Sequence, residues 1–261
     1  DLGPVVKEVI VVDDGSTDET AQIARRLARH CPLIQVHELP RNQGKTAAIR
    51  HALAQATGDI VIIQDADLEY DPSEIPEVIR PILRGEADVV YGSRFMVRRA
   101  ARVLYFYHYL ANKLLTFVSN VLTNRNMSDI ETCYKVFRAG VIKPLALSSK
   151  GFGLEVEITA MVCHTSARTY EVPISYYGRT YAEGKKIGLR DGLAALGYIL
   201  YYNLIAPRLR SGRSYRAAVE KYLTDLRTTT ITPQIVVPRP MVTPLGDWPT
   251  VAETPLYSEV P

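Results

Sequence analysis

Short β-branched runs alternate with helical segments through the first 91 residues of the chain. The apolar runs predict four strands, and the segments between them predict three helices with recognisable start and stop signals. Strands that alternate with helices of about 10–15 residues form βαβ units with a mostly parallel sheet. The pattern therefore predicts an α/β domain. The expected strands lie at residues 8–14, 33–38, 59–65 and 87–91, and the expected helices at residues 17–30, 44–56 and 74–84.

Two of the predicted strands end in acidic residues. Asp13 and Asp14 end the first strand just before Gly15, and Asp65 and Asp67 follow the third strand. Open α/β sheets bind ligands at the carboxyl ends of their strands. Two carboxylates one residue apart can hold a hard divalent cation that also contacts substrate phosphates. We expect Asp67 to contact a Mg²⁺ or Mn²⁺ ion directly, with Asp65 assisting, and a solvated acidic turn is the structural alternative. For Asp13 and Asp14 the alternative to ligand binding is helix capping.

Two basic residues are candidates for binding phosphate at the same crevice. Gly44 and Lys45 precede a predicted helix without an acid in its first turn, and a helix start with a lysine can neutralise a phosphate. Arg94 follows the fourth strand and can bind a donor or acceptor phosphate through two N–H groups. The alternative for each is an ordinary exposed side chain.

Composition narrows the classes of partner. The 261 residues are 47% apolar, which supports a proper core, and the net charge of +3 is too small to indicate nucleic acid. The three cysteines are widely spaced and odd in number, which predicts a reducing compartment rather than a disulfide framework.

Residues 101–122 and 188–205 have apolar residues at helical spacing and several aromatic side chains. Basic residues precede each segment, among them Lys185 and Lys186. Such a combination suits a bilayer interface with anionic headgroups. The pattern alone fits two interfacial amphipathic helices at a membrane surface and two core helices equally well. Neither segment reaches the roughly 20 apolar residues of a spanning helix.

The composition changes beyond residue 207. Residues 208–261 begin with a basic stretch, and residues 229–261 hold 7 of the 16 prolines. Such a segment buries too little apolar surface to offset the entropy of ordering. The sequence therefore predicts a domain over residues 1–207 and a largely disordered tail over residues 208–261.

Six motifs occur in an order typical of one enzyme family. They lie at residues 11–18, 42–48, 65–69, 92–94, 129–138 and, as a C-terminal signature, 171–174 with 183–186. In these motifs the chain resembles the family 2 glycosyltransferases with a GT-A fold, in particular their polyprenol-phosphate sugar transferase branch, the dolichol-phosphate mannosyltransferase-like enzymes. The family begins with one further strand and helix, so the resemblance implies that the first βα unit is missing here. The resemblance also favours an interfacial placement of the two amphipathic segments.

The resemblance implies an inverting, metal-dependent hexose transfer from a nucleotide diphosphate sugar, of the GDP-mannose or UDP-glucose type, to polyprenyl phosphate. It also implies a peripheral position at the cytoplasmic face of the membrane. The implied catalytic residues are Asp65, Asp67, Asp129 and Arg94. The implied donor-binding residues are Asp13, Asp14, Gly15, Gly44, Lys45 and Asp65. The implied acceptor-binding residues are Arg94, Lys135, Arg138, Lys185 and Lys186.

Asp129 and Glu131 are the candidate acids on the acceptor side. An alcohol acceptor needs a general base, whereas a phosphate acceptor is already anionic. With a lipid phosphate, Asp129 is better explained as positioning Arg94, Lys135 or Arg138. A transferase with a saccharide hydroxyl acceptor and a non-catalytic GT-A module that binds partners are the alternatives.

Overall fold

A computed structural model describes residues 6–96, 105–151, 153–179 and 189–229 of the chain. Lys185 and Lys186, the first part of the 101–122 segment and the Pro-rich end of the chain lie outside the described residues.

All seven elements expected in the first 91 residues are present, with ends shifted by a few residues. Two short 3₁₀ turns and a π-helical turn at Tyr201–Ile205 connect some of the elements. The strands are β1 (Val9–Asp13), β2 (Ile34–Glu38), β3 (Ile60–Ile63), β4 (Val89–Ser93), β5 (Lys135–Arg138) and β6 (Thr169–Pro173). The helices are α1 (Thr20–His30), α2 (Lys45–Gln55), α3 (Ile75–Leu83), α4 (Phe106–Thr123), α5 (Ala139–Ile142), α6 (Gly153–Cys163), α7 (Leu189–Leu200) and α8 (Arg210–Thr229).

The strands pair in two groups. β1 and β2 form a parallel pair, and the larger sheet has the order β3-β5-β4-β6. β5 is antiparallel to both of its neighbours, whereas β4 and β6 are parallel. Three of the four strands of the larger sheet therefore run in one direction, and the expected α/β class is confirmed.

The core lies where β4 and β5 meet α6. Every residue of β4 is buried, and so is every described residue of α6 from Gly153 to Cys163. This helix is buried on all sides, with Glu155 and Glu157 among its mostly apolar residues, and therefore lies in the interior of the domain. Its burial gives a rigid support to the side chains that its first turn presents toward the strand ends.

Helix α8 corrects the predicted domain boundary. Its buried residues Tyr215, Val219 and Leu223 recur every four positions and form one apolar stripe. A Cβ added at Gly140 would lie 2.4 Å from the ring of Tyr222, so α8 packs closely against α5. The prediction that the domain ends at residue 207 is wrong, because α8 packs on the domain through this stripe. The many arginines of the helix made the stripe difficult to detect in the sequence.

Helix α4 has two apolar faces, because Leu115, Val118 and Leu122 pack partly buried against the core while a second apolar face is exposed. Its fully buried residues are Thr116 and Ser119, while large apolar side chains at spacings of three and four form one exposed face. We call this face the α4 stripe, and it consists of Phe106, Leu110, Leu114, Phe117 and Val121. Helix α7 contacts α4 and adds the exposed Leu193. The two expected amphipathic helices are thus present, and within the described ranges no helix is long and apolar enough to cross a membrane.

Candidate active site at the carboxyl ends of the strands

The acidic motif forms a tight turn directly after β3. Asp67 Oδ1 accepts a hydrogen bond from the backbone N–H of Glu69 at 3.2 Å. Leu68, between them, has a φ of 59° and a fully solvent-facing side chain. A left-handed backbone costs a residue other than glycine about 1 kcal/mol, and such strain is concentrated at functional sites. The turn therefore places Asp65 and Asp67 at the sheet edge where ligands bind.

Asp65 is paired with Lys45, at the first position of α2. The Lys45 Nζ lies 2.8 Å from Asp65 Oδ2 and also 2.8 Å from Glu155 Oε1, in the first turn of α6. Burial alone would lower the pKa of Lys45, but the negative charges of Glu155 and Asp65 raise it above its ordinary value. Lys45 is therefore engaged with the metal motif, although the sequence predicted that it binds a phosphate.

Asp67 is paired with an arginine that follows β6. The Arg179 Nη2 lies 3.2 Å from Asp67 Oδ2, and its Nε lies 2.8 Å from Glu69 Oε1. Burial raises the pKa of Asp67, and the charges of Glu69 and Asp65 raise it further. The turn thus holds more negative charge than Arg179 compensates.

The donor set of this turn fits a hard divalent cation. Its carboxylates supply hard oxygen ligands, and the surplus negative charge favours a cation. Within the described residues, no group of three or more His, Cys, Asp or Glu side chains is arranged to hold a metal. Asp65 and Asp67 are the residues of this turn that would hold such a cation.

Asp14 joins the first two motifs to each other. Its Oδ1 accepts from the backbone N–H of Gln43 at 2.8 Å, and its Oδ2 accepts from that of Gly44 at 2.7 Å. Gly44 has a φ of 88° and immediately precedes α2. Each carboxylate oxygen of Asp14 accepts one backbone hydrogen bond, so this residue holds the Gly44 loop. Each oxygen keeps a further lone pair, and the contact of Asp14 with a nucleotide stays a prediction.

Asp13 and Gly15 retain features of a ligand site. Asp13 is buried, and its Oδ2 accepts from the Ser16 N–H at 3.1 Å. Its buried Oδ1 has no hydrogen-bond partner among the described residues, and an unpaired buried acceptor costs about 1–3 kcal/mol. Gly15 has a φ of 72°, and a Cβ there would lie 2.7 Å from the carbonyl carbon of Arg41. The turn at Gly15 therefore requires glycine. The Oδ1 atom of Asp13 could accept a hydrogen bond from a ligand.

Arg94 and Asp129 form a buried ion pair beyond β4. Arg94 Nε and Nη2 each donate to Asp129 at 2.7 Å, and the Arg94 backbone N–H donates at 3.1 Å. Burial alone would raise the pKa of Asp129, but the charge and hydrogen bonds of Arg94 outweigh it and lower that pKa. The interpretation of Asp129 as the residue that positions Arg94 agrees with this geometry.

Tyr176 connects this pair to the metal motif. The Arg94 guanidinium lies 5.1 Å from the centre of the Tyr176 ring, and the Tyr176 hydroxyl is 3.0 Å from Glu69 Oε2. Glu69 in turn binds Arg179, which contacts Asp67. The acidic turn and the Arg94–Asp129 pair therefore belong to one network of contacts. Tyr176 and Arg179 were not predicted, although both lie in the segment after the end of β6 at Pro173, where the strand-end rule could have indicated them.

Two predicted acceptor-binding residues lie elsewhere. Lys135 is buried, and its Nζ donates to the backbone carbonyls of Ile130 (3.0 Å) and Thr132. Arg138 lies at the opposite end of β5, with its Nε 3.3 Å from Asp88 Oδ1. Because β5 runs antiparallel to its neighbours, its last residue leads away from the site. The prediction that both contact the acceptor is wrong for this conformation.

Glu131 is a buried carboxyl group near the site with a strongly raised pKa. Burial and the negative charge of Glu155 raise its pKa to about 7. Its Oε1 is buried without a hydrogen-bond partner in the described part of the chain. A carboxyl with a pKa near neutrality is suited to proton transfer.

Comparison with known proteins identifies the relatives of this chain. Residues 4–145 match the family model for glycosyl transferase family 2. A dolichol-phosphate mannosyltransferase from Pyrococcus furiosus is 28% identical over 183 residues, which cover 69% of this chain and 51% of that protein. A dodecaprenyl-phosphate galacturonate synthase from Rhizobium johnstonii is 30% identical over 181 residues, 68% of this chain and 52% of that protein. The chain spans about half the length of these relatives.

Solved structures show the same fold at lower sequence identity. Glucosyl-3-phosphoglycerate synthase from Mycobacterium tuberculosis, in complex with Mn²⁺, uridine diphosphate and phosphoglyceric acid, gives a TM-score of 0.55 at 20% identity over 76% of this chain and 68% of that one. Mannosyl-3-phosphoglycerate synthase from Rubrobacter xylanophilus gives a TM-score of 0.52 at 19% identity over 88% of this chain and 68% of that one. These similarities confirm the GT-A fold. Since the family model covers more than half of the sequence, the chain belongs to glycosyl transferase family 2.

Proposed function

We propose that the chain forms the catalytic domain of an inverting glycosyltransferase that moves a hexose from a nucleotide diphosphate sugar to polyprenyl phosphate. The observation that carries this proposal is the commitment of Asp129 to Arg94. An acid held by two hydrogen bonds from a guanidinium is a poor proton acceptor. A phosphate acceptor needs no residue to take up a proton, because its attacking oxygen is already anionic. The naming of two relatives for dolichol phosphate and dodecaprenyl phosphate supports the same acceptor class.

The donor side would be built from the acidic turn and the first motif. Asp65 and Asp67 would hold a Mg²⁺ or Mn²⁺ ion, which supplies charge stabilisation to the departing diphosphate. Asp13 would accept a hydrogen bond from the nucleotide through its unpaired Oδ1. Arg179, about half exposed beside Asp67, would lie close to the phosphates of the donor.

The transfer would then be one in-line displacement. An acceptor phosphate oxygen forms a bond to the anomeric carbon while the bond from that carbon to the diphosphate oxygen breaks. The electron pair leaves with the nucleoside diphosphate, and no proton has to move. Arg94, held in place by Asp129 and Tyr176, would orient the acceptor phosphate for this attack. A single displacement inverts the anomeric centre.

The α4 stripe supports a position at a membrane surface. Phe106 and Phe117 are 66% and 65% exposed, although an ordinary helix of a domain turns such residues inward. An exposed face of this kind can insert into the headgroup region of a bilayer. The cysteines are free thiols, which suits the reducing cytoplasmic side. We place the enzyme peripherally at the cytoplasmic face, where a polyprenyl phosphate headgroup would reach Arg94.

A transfer assay with matched acceptors tests the proposal. The chain is incubated with UDP-glucose, GDP-mannose or UDP-N-acetylglucosamine, with Mn²⁺ or Mg²⁺, in vesicles that contain polyprenyl phosphate. Mass spectrometry should detect the lipid phosphate with one added hexose in at least one donor combination. A parallel reaction with polyprenol, which lacks the phosphate, should give no product. Product from polyprenol or from a free saccharide alone would refute the phosphate acceptor.

A second candidate function has one specific observation in its favour. Glu131, with its pKa of about 7, could act as the general base for a saccharide hydroxyl acceptor. In that case Glu131→Gln should abolish transfer, and the rate of the native enzyme should rise with pH through about 7. With a phosphate acceptor, Glu131→Gln should retain most of the activity.

A further inference from the structure

Three charged side chains form a row that begins at Asp65 in the acidic turn and continues through Lys45 to Glu155. We call them the Asp65–Lys45–Glu155 triad. The Lys45 ammonium lies 2.8 Å from a carboxylate oxygen on either side. The exposed fraction of the side chains falls from 34% at Lys45 and 28% at Asp65 to 11% at Glu155. The triad therefore extends from the candidate cation site into the interior.

Lys45 is held in this position from two independent directions. The preceding Gly44 is fixed by the hydrogen bond of its N–H to Asp14. Glu155 projects from the first turn of α6, every described residue of which is buried. A negative side chain is also favoured near the positive end of a helix. The lysine thus has little freedom to leave the two carboxylates.

The sharing of one lysine between two carboxylates determines how much charge remains on Asp65. With Glu155 present, the triad carries a net charge of −1, and part of the lysine charge is directed to Glu155. Without Glu155, Lys45 and Asp65 would form a neutral pair, and a cation at Asp65 would have to compete with the ammonium for the carboxylate. Partly buried charges at such distances interact strongly, because solvent screens them poorly.

We propose that Glu155 is a positioning residue that shares Lys45 with Asp65 and thereby keeps Asp65 available to a divalent cation. This inference rests on the cation site proposed at Asp65 and Asp67. It extends that site to a residue that lies 110 positions from Lys45 in the sequence.

Binding of Mn²⁺ to the full chain, measured by isothermal titration calorimetry without nucleotide or acceptor, tests the inference. Glu155→Gln leaves the neutral Asp65–Lys45 pair and should weaken Mn²⁺ binding about tenfold. Lys45→Met leaves two carboxylates and should strengthen it. The double variant restores a net charge of −1 and should bind Mn²⁺ within about threefold of the wild type. Two variants with opposite effects that cancel in combination are the signature of charge sharing.

Glu157→Gln is the matched control. Glu157 lies on the same helix, is also buried, and accepts hydrogen bonds from the backbone N–H groups of Ser148 and Ser149 instead. Its neutralisation should leave Mn²⁺ affinity unchanged. Thermal unfolding of each variant checks that it is folded, and Lys45→Met gives a reading even if Glu155→Gln unfolds.

The outcomes separate the two proposals. If the wild type binds Mn²⁺ and Asp67→Asn does not, the cation site holds. In that case, unchanged affinity in Glu155→Gln or Lys45→Met overturns the role of Glu155, and so does a double variant as weak as Glu155→Gln. If the wild type binds no Mn²⁺, both the cation site and the role of Glu155 are refuted.

Discussion

The Arg94 guanidinium forms a bidentate ion pair with Asp129, in which Nε donates to Oδ2 and Nη2 donates to Oδ1, each at 2.7 Å. The carboxylate is fully buried and the guanidinium is only 12% exposed. A buried ion pair stabilises a fold no more than two well-packed apolar side chains of similar volume would. The loss of one partner, however, leaves the other charge buried without compensation. Burial of the two charges costs free energy of desolvation, and the positioning of Arg94 by Asp129 explains why the pair is present.

Replacement of Asp129 should affect stability as well as activity. Asp129→Asn keeps the shape but leaves the Arg94 charge uncompensated, and the free energy of unfolding should fall by about 3 kcal/mol. Chemical denaturation measures this loss. A variant that is inactive but as stable as the wild type would instead identify Asp129 as a base.

Replacement of Asp67 should remove binding of the cation. Asp67→Asn exchanges a charged ligand for a neutral one of equal size at the end of a strand, so the fold should remain. Transfer activity should fall by about 10² or more, as when other stabilisers of transition-state charge are removed. Calorimetry with Mn²⁺ and a transfer assay check both effects. Metal-dependent turnover in the variant would contradict the assignment.

Glu131 should make the stability of the protein depend on pH. Because its pKa is raised from 4.5 to about 7, the folded state keeps a proton that the unfolded state releases between these values. The free energy of unfolding of the wild type therefore falls as the pH rises through this range. Glu131→Gln is neutral throughout, so its stability relative to the wild type should increase over the same range. Parallel stability curves for the two proteins would argue against the raised pKa.

The α4 stripe should mediate binding to vesicles. Leu114 and Phe117 are 58% and 65% exposed, and their burial in a bilayer should contribute about 1–2 kcal/mol each. Leu114→Ser with Phe117→Ser should therefore weaken co-sedimentation with anionic liposomes at least tenfold. The matched control is Ile23→Ser with Leu27→Ser, which alters exposed apolar residues of α1. Equal binding by both double variants would exclude the α4 stripe as the contact surface.

Two truncations should have opposite results. A chain that ends at residue 207 loses α8, with the buried Tyr215, Val219 and Leu223. Their burial contributes about 5 kcal/mol, which is comparable to the whole stability of many domains. A chain that ends at Thr229 retains α8 and should bind donor normally. Circular dichroism and donor binding measure both, and loss of donor binding by the longer chain would show that residues 230–261 are needed.

Local patterns in the sequence were sufficient for the elements of the first 91 residues and for the acidic turn. Alternation of apolar runs and helical spacing depends on neighbouring residues, so no knowledge of the fold was needed to predict β1 to β4. The rule that ligands bind at strand ends then indicated Asp13, Asp65 and Arg94 as site residues. The family motifs added Asp129 to this group.

The partners of these residues were decided only by tertiary structure. Glu155 reaches Lys45 across 110 positions, and Arg179 reaches Asp67 across 112. No local spacing encodes such contacts, because they arise when separate strands end at the same edge of a sheet. The position of Arg138 away from the site follows from the antiparallel course of β5, which its short sequence did not reveal. The exposure of the α4 stripe likewise depends on which face of α4 the core covers, and a pattern of apolar residues alone cannot distinguish a buried face from one turned to the surface.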